Sequence, residues 1–531
     1  MIRRVHGLLF FLYACGSVPA APDASVATGP QALVVSVTGP GVVTSSPAGI
    51  DCGAQCAASL DAGTLVTLTA TPDASAVFVG WSGDCAGETP CTLTMDAAKN
   101  VSAAFALHGA KRWVKQVSFS GQDLMENLVV DPQGNLIAAG AVDDGGGSDL
   151  YLVKYDQRDG TPLWTQHFDT ETGENVGGLA TDAEGNVYVG TRLSGLGTTA
   201  MFGTQTVTGD LFGNIVILKL AAATGAVLWV KQWGGTGQDI PEAIAVAGND
   251  LYVVGYTSSN PSQFDGLSLQ GSTNNGFVVR ASTDNGVASA AKLLPGSVSL
   301  TGVAVHGTDV AVVGEVRAAM ALDACNLSPS GAGSDAMILD LLRADLRCRW
   351  GKNFGDSTAN INATTHAIAA YPGGGWVIAG SFQGNILLAG SGSSFASRGG
   401  FDVFVGRFDA AGTHQWSFRY GDTGFDVGYG VAVTPTGEVL LAGAFASTIT
   451  FGPLTLTGAN NTFVTRMSAG ATPSHQWAVG LGGDDTDLAE DLAIAPDGSV
   501  YVLSSFQGMT NVGGEALTSL GYDAWIGALV R

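Results

Sequence analysis

An all-β repeat architecture is what this sequence predicts, and three observations carry the prediction. First, short β-branched runs punctuated by glycine recur along the chain. No long window keeps apolar residues at i, i+3, i+4 and i+7 without a Gly or Pro break. Second, one two-strand phrase returns in successive copies: DLYLVKYDQRDGTPLWTQHF (149–168), GNIVILKLAAATGAVLWVKQWGG (213–235), FDVFVGRFDAAGTHQWSFRYG (401–421) and NTFVTRMSAGATPSHQWAVGLGG (461–483). Third, a tryptophan marks the second strand of the phrase at Trp113, Trp164, Trp229, Trp350, Trp416 and Trp477. The double gap from Trp229 to Trp350 is filled by Ala291–Leu294 without a Trp, so seven units of about 50–65 residues result. With four strands per unit, that period predicts a seven-bladed β-propeller over 111–531.

Composition agrees. Glycine is abundant at 76 residues, charged residues make up 13% and hydrophobic ones 46%. That balance suits a globular all-β chain with many tight turns. A net charge of −23 argues against nucleic acid, whose phosphates need clustered Lys and Arg, and against a basic patch docking on anionic lipid.

The N-terminus, MIRRVHGLLFFLYAC, sets Arg3 and Arg4 before an apolar run, Gly7–Ala14, that is too short to span a bilayer. Leu12-Tyr13-Ala14-Cys15 resembles the lipobox of bacterial lipoprotein signal peptides. The resemblance implies a signal peptide over 1–14 and lipidation of Cys15; the alternative is a secretory signal cut near Ala20. Residues 15–32, Ala/Pro/Ser-rich and aperiodic, are expected to be a tether. Six further cysteines remain: Cys52, Cys56, Cys85, Cys91, Cys325 and Cys348. An even number in an exported chain predicts disulfides. Local pairing gives Cys52–Cys56, Cys85–Cys91 and Cys325–Cys348, one of fifteen arrangements that six cysteines permit.

Residues 33–107 read as a separate small β domain with strands over 33–37, 65–70, 78–81, 91–95 and 101–105. Its words PAGIDCG, GTLVTLTATP, FVGWSGDC and CTLTMDAAKNVSAAF resemble the divergent internalin B-type repeat of bacterial surface proteins. The resemblance implies a β-grasp-like spacer or adhesive module. Trp81 is expected in its core.

Within each unit of 111–531, a first strand (243–246, 431–433, 492–495) meets a tight turn such as DPQGNL (131–136), DAEGNV (182–187), TPTGEV (434–439) or APDGSV (496–501). A second strand ends near a glycine. Then comes an excursion, often an FG-x-L-x-L-x-G-like hairpin (202–209, 451–458), which the first unit lacks, and then the Trp-bearing pair. These words resemble the SBBP-type β-propeller repeats of bacterial exported proteins. The domain enters on a fourth strand, KRWVKQVSFSG (111–121), and leaves on a third, YDAWIGALVR (522–531), so the two ends are expected to complete one blade.

The loop after each fourth strand repeats an acidic word: SGQDLMEN (120–127), GGTGQDIPEA (234–243), GDTGFDVGYG (421–430), GGDDTDLAEDL (482–492). These loops are expected on one face. Asp484, Asp485 and Asp487 approach the density a Ca²⁺ site needs, but aspartates capping turns are the favoured reading. AAATGAVLW (221–229) resembles the tryptophan-docking word of quinoprotein dehydrogenases, where the Trp is structural. No adjacent cysteine pair accompanies it, so no cofactor is expected. The scattered histidines (His414 and His475 equivalent in HQW) and the lack of a GxSxG elbow give no catalytic or metal residues.

The expectation is therefore a monomeric, lipid-anchored propeller of the bacterial cell envelope, not an enzyme. It would bind an unknown protein or glycan through its loops, or serve as a scaffold. The competing reading is an enzyme with a channel site, quinoprotein-like or glycan-cleaving. A glycan-cleaving enzyme needs carboxylates that converge there, for which Asp239, Asp426 and Asp487 are the candidates.

Overall fold

In the computed structural model, residues 29–145, 147–170, 176–271, 274–356, 362–388, 394–483 and 485–531 are described. The signal peptide, Cys15, most of the tether and Asp484 fall outside them. The chain divides into two units, Met1–Leu107 and His108–Arg531. No helix among the described residues is long and apolar enough to cross a membrane.

The first unit holds two four-stranded sheets. In one, Gln31–Thr38 lies between Ala57–Leu60 and Lys99–Leu107, with Ala76–Gly83 beyond, and Gln31–Thr38 runs parallel to Lys99–Leu107. A second sheet of Asp51–Cys52, Gly41–Ser46, Leu65–Pro72 and Cys91–Thr94 supplies the other side of the core. Alternation puts Leu33, Val35, Val43, Val66, Leu68, Trp81 and Phe105 between the sheets, and Phe78 meets Trp81 edge-on at 5.0 Å. So small a core gains from covalent support, and disulfides join Cys52–Cys56 and Cys85–Cys91.

The second unit is a β-propeller. Among its described residues are seven four-stranded antiparallel sheets, the blades. Their innermost strands are Leu124–Val130, Val176–Thr181, Asp239–Ala247, Val298–His306, Ala363–Ala370, Val427–Val433 and Asp487–Ile494. Each packs beside the next, and Asp487–Ile494 packs beside Leu124–Val130, which closes the ring. The second and third strands are buried on both faces between neighbouring blades, so stretches such as LIAAGAV (136–142) are continuously apolar. The fourth strands keep one wet face and alternate, as in Val227–Trp233. Blade seven is built from both ends of the unit: Asp487–Ile494, Val500–Val512 and Glu515–Leu529 pair on to Lys111–Val117, with Trp525 opposite Gln116 and Ala528 opposite Trp113.

Four of the six marker tryptophans lock blade to blade through the indole N–H, while those of Trp416 and Trp477 are buried without a hydrogen-bond partner among the described residues. The indole N–H of Trp113 donates to Gln157 O (3.1 Å), Trp164 to Ala222 O (3.1 Å), Trp229 to Thr283 O (3.3 Å) and Trp350 to Ala410 O (3.1 Å). Every acceptor lies in the turn between the third and fourth strands of the following blade. Gly286 in such a turn has φ +69°, and a Cβ there would come within 2.7 Å of the Trp229 ring. The excursions are separate hairpins in blades two to five. In blades six and seven they are instead the extended ends of Val439–Phe451 with Leu454–Met467 and of Val500–Val512 with Glu515–Leu529. A third disulfide, Cys325–Cys348, ties the blade-four hairpin to its fourth strand. The innermost strands begin about four residues earlier than the sequence reading placed them, because the acidic words run into the sheet.

Candidate channel site

Each innermost strand carries one extra residue. The register slips at Met125/Asn127, Val176/Gly178, Pro241/Ala243, Leu300/Gly302, Thr365/Ala367, Gly428/Gly430 and Ala489/Asp491. The bulged residues are Glu126, Gly177, Glu242, Thr301, His366, Tyr429 and Glu490. A bulge re-aims a side chain out of the alternating pattern. Repeated at one level of a closed ring of strands, it makes a seven-membered ring around the axis.

The ring has two halves. Blades seven, one and three contribute Glu490, Glu126 and Glu242; blades four, five and six contribute Thr301, His366 and Tyr429. Between the acidic members lies Gly177, where a Cβ would collide with the Pro241 carbonyl, so blade two has no side chain here and its neighbour comes close.

Burial pushes Glu126 up to about 8, and the charges of Glu490 and Glu242 add to it. Burial also takes Glu242 up to about 7 and raises Glu490. Asp491, beside the ring, rises to about 7 although Leu128 N and Leu492 N both donate to it (2.9 and 2.7 Å). Burial depresses His366 to about 4, so its imidazole is neutral at physiological pH. Its Nε2 lies 3.0 Å from Ser381 Oγ and its ring 5.3 Å from Tyr429.

Neighbouring strands fix the ring. Val176 N donates to Glu126 Oε2 (2.6 Å), Asn127 Nδ2 to Val176 O (2.5 Å) and Thr301 Oγ1 to Thr365 O (2.5 Å). The result is a desolvated group of carboxyls poised near neutral pH, facing a neutral imidazole and a phenol. It can accept a cationic or hydrogen-bond-donating group and can exchange a proton near pH 7.

The aspartates of the repeated words do other work. Asp123, Asp239, Asp426 and Asp487 are all buried. Each accepts the backbone N–H four residues back: Phe119, Gly235 (2.8 Å), Asp422 (3.0 Å) and Gly483 (2.8 Å). They pin their own loops, and Asp239, Asp426 and Asp487 feel carboxylates of their own surroundings rather than one another. The converging carboxyls sit three residues later. The word D-x-x-E, present as DLME, DIPE and DLAE, carried that signal as a glutamate repeated three residues after the pinning aspartate; reading it as loop hid the repeat.

A second repeated pair joins a buried aspartate of a third strand to a fourth-strand residue: Asp149 to His167 (3.2 Å), Asp335 to Asn353 (2.6 Å), Asp402 to Arg419, and Asp523 to Gln116 (2.5 Å). His167 is the blade-one version of this structural pair. Asp144 brings a further carboxylate to it, with the ligand atoms of all three within 4.8 Å.

Comparison with known proteins adds the following. Residues 35–109 match the Divergent InlB B-repeat domain. No curated protein matches the chain. Among solved structures, the Dos1 propeller is 10% identical (TM-score 0.39), covering 79% of this chain and 95% of its own. Sqt1 of Chaetomium thermophilum, bound to the N-terminus of ribosomal protein L10, is 11% identical (0.39; 80% and 100%). Quinohemoprotein alcohol dehydrogenase of Comamonas testosteroni is 11% identical (0.38; 79% and 76%).

Proposed function

We propose that this chain is an envelope-exposed binding module whose propeller takes a cationic ligand at the mouth of its channel. The observation that carries the reading is the ring. Three glutamates stand at equivalent bulges, held where burial and mutual repulsion disfavour their charge, and a cation relieves both. Three disulfides support an extracellular or envelope setting, and the lipobox-like LYAC ending at Cys15 supports a lipid anchor. Titration calorimetry of residues 29–531 with Ca²⁺, spermidine and chitosan oligomers tests the site. A saturable heat that disappears in the folded triple variant Glu126→Gln/Glu242→Gln/Glu490→Gln is expected. Binding by none of the three, or equal binding by the variant, would refute it. Intact mass of the mature protein tests the anchor: an N-terminus beyond Cys15 without acyl mass removes it.

One observation favours a second reading. A carboxyl protonated at neutral pH, Glu126, beside others is the equipment of a general acid in glycoside cleavage. Hydrolysis of aryl glycosides that is lost in Glu126→Gln would support it.

A further inference from the structure

The seam where blade seven meets blade one holds a cleft of about 750 Å³, remote in character from the channel ring. Its walls are the loop after Lys111–Val117 on one side and the second-to-third-strand connections of blades one and seven on the other. Phe119, Gln122, Asp143, Thr518, Ser519 and Asp523 line it, and among the described residues no Lys or Arg does.

Phe119 is 36% exposed although it is aromatic, and Tyr151 and His167 brace its ring at 5.2 and 5.8 Å. In the loops pinned the same way, the equivalent positions are Gly235, Asp422 and Gly483, so among these four loops only this one places an aromatic there. The polar walls are fixed in advance. Gln116 Nε2 donates to both Thr518 O (2.9 Å) and Asp523 Oδ2 (2.5 Å). The Asp143 carbonyl receives Ser120 N (3.1 Å) and Gly121 N (2.9 Å). A side chain on Gly121 would strike the Asp143 carboxylate, so glycine keeps the floor open. The corresponding cleft between blades five and six, about 480 Å³, carries Arg398 and Arg419 beside Asp422.

We infer that the blade-seven/blade-one cleft is a subsite for a neutral pyranose oligosaccharide. The braced, half-exposed Phe119 ring takes the C–H face of a sugar, and the surrounding carboxylates, amide and hydroxyls accept from and donate to its hydroxyls. A polar cleft with one apolar platform and no cation suits a ligand with a flat apolar face and a rim of O–H donors. It does not suit an anion, which the acidic lining repels, nor a wholly apolar ligand.

The test is saturation-transfer NMR and titration calorimetry of residues 29–531 with cellohexaose, chitohexaose and maltohexaose. At least one is expected to bind one-to-one in the sub-millimolar range. Phe119→Ala, with an unchanged melting temperature, is expected to weaken it at least tenfold, Gln122→Ala several-fold, and Phe119→Tyr little. Phe425→Ala, which removes an exposed aromatic from the blade-five/blade-six loop, is expected to leave it intact. Binding by none of the three at 5 mM, full binding by Phe119→Ala, or loss with Phe425→Ala would each overturn the assignment.

Discussion

Replacing Glu126 by Gln should make the propeller more stable in alkaline solution and leave it unchanged in acid. Burial holds the Glu126 carboxyl at about 8 against an ordinary 4.5. Between those values the folded chain keeps a proton that the unfolded chain releases, so folding is penalised increasingly as pH rises from 4.5 to about 8 and by a constant amount above. At ~1.4 kcal/mol per pH unit the full penalty is about 5 kcal/mol. Water entering the channel and shared titration with Glu242 and Glu490 reduce it to roughly 2–3 kcal/mol. The amide carries no such penalty, and its oxygen still accepts from Val176 N. With ~2.1 cal/mol/K of unfolding entropy per residue, 1 kcal/mol is worth about 1 °C in a unit of this size. Glu126→Gln should therefore melt about 2–3 °C above the native protein at pH 8.5 and level with it at pH 4. Scanning calorimetry across pH 4–9 measures this directly. An equal or lower melting temperature at pH 8.5 would show that the ring is hydrated and that its carboxyls are ordinary.

Three further outcomes follow from the packing. Gly286→Ala puts a Cβ 2.7 Å from the Trp229 ring at φ +69°, so it should cost about 2–3 kcal/mol; unchanged denaturant unfolding would mean the turn docks loosely. Deleting 111–120 removes the strand that carries buried Trp113, Val114 and Val117 and bares the edge of Glu515–Leu529. The loss should exceed about 5 kcal/mol and promote aggregation, and a truncated protein that melts like the full chain would contradict closure through blade seven. Cys325→Ser with Cys348→Ser opens a bridge of sequence separation 23, expected to cost about 3 kcal/mol; the measure is the fall in urea midpoint against the oxidised protein.

The strand pairs were legible because they obey local rules. Asn214–Leu220 and Val227–Trp233 are β-branched runs on either side of a glycine turn, and their boundaries follow from the residues themselves. Ring closure was legible too, since strands of known rank in the repeat are missing a partner at each end. The channel ring was not. A β-bulge shifts the alternation by one residue, and the stretch that holds it contains Asp, Pro, Gly and Glu, which in isolation read as loop. The strand around Glu242 thus read as beginning at Ala243, although Asp239–Ala247 is paired on both sides of its bulge at Glu242. The seam cleft was hidden for a different reason: Phe119 and Thr518 are about 400 residues apart in sequence, and only closure of the ring brings them to one cavity.

A single short segment serves three tasks at that seam. In Ser118–Glu126, Phe119 points its ring into the cleft, Asp123 holds the loop by accepting Phe119 N and Asp143 N, and Glu126 stands on the bulge in the channel. The spacing explains why binding groups can vary while the scaffold does not. A buried aspartate at the entry of the strand fixes both the residue four before it and the residue three after it. Changing either neighbour alters the chemistry of a cleft or of the ring without disturbing the pin. In the four blades that carry the pin, the position before it is Phe119, Gly235, Asp422 or Gly483, and the position after it is Glu126, Glu242, Tyr429 or Glu490. The chemistry of the cleft and of the ring is therefore set by pairs of residues around one structural carboxylate, and the pair with both an aromatic and a glutamate lies where the two ends of the domain are joined.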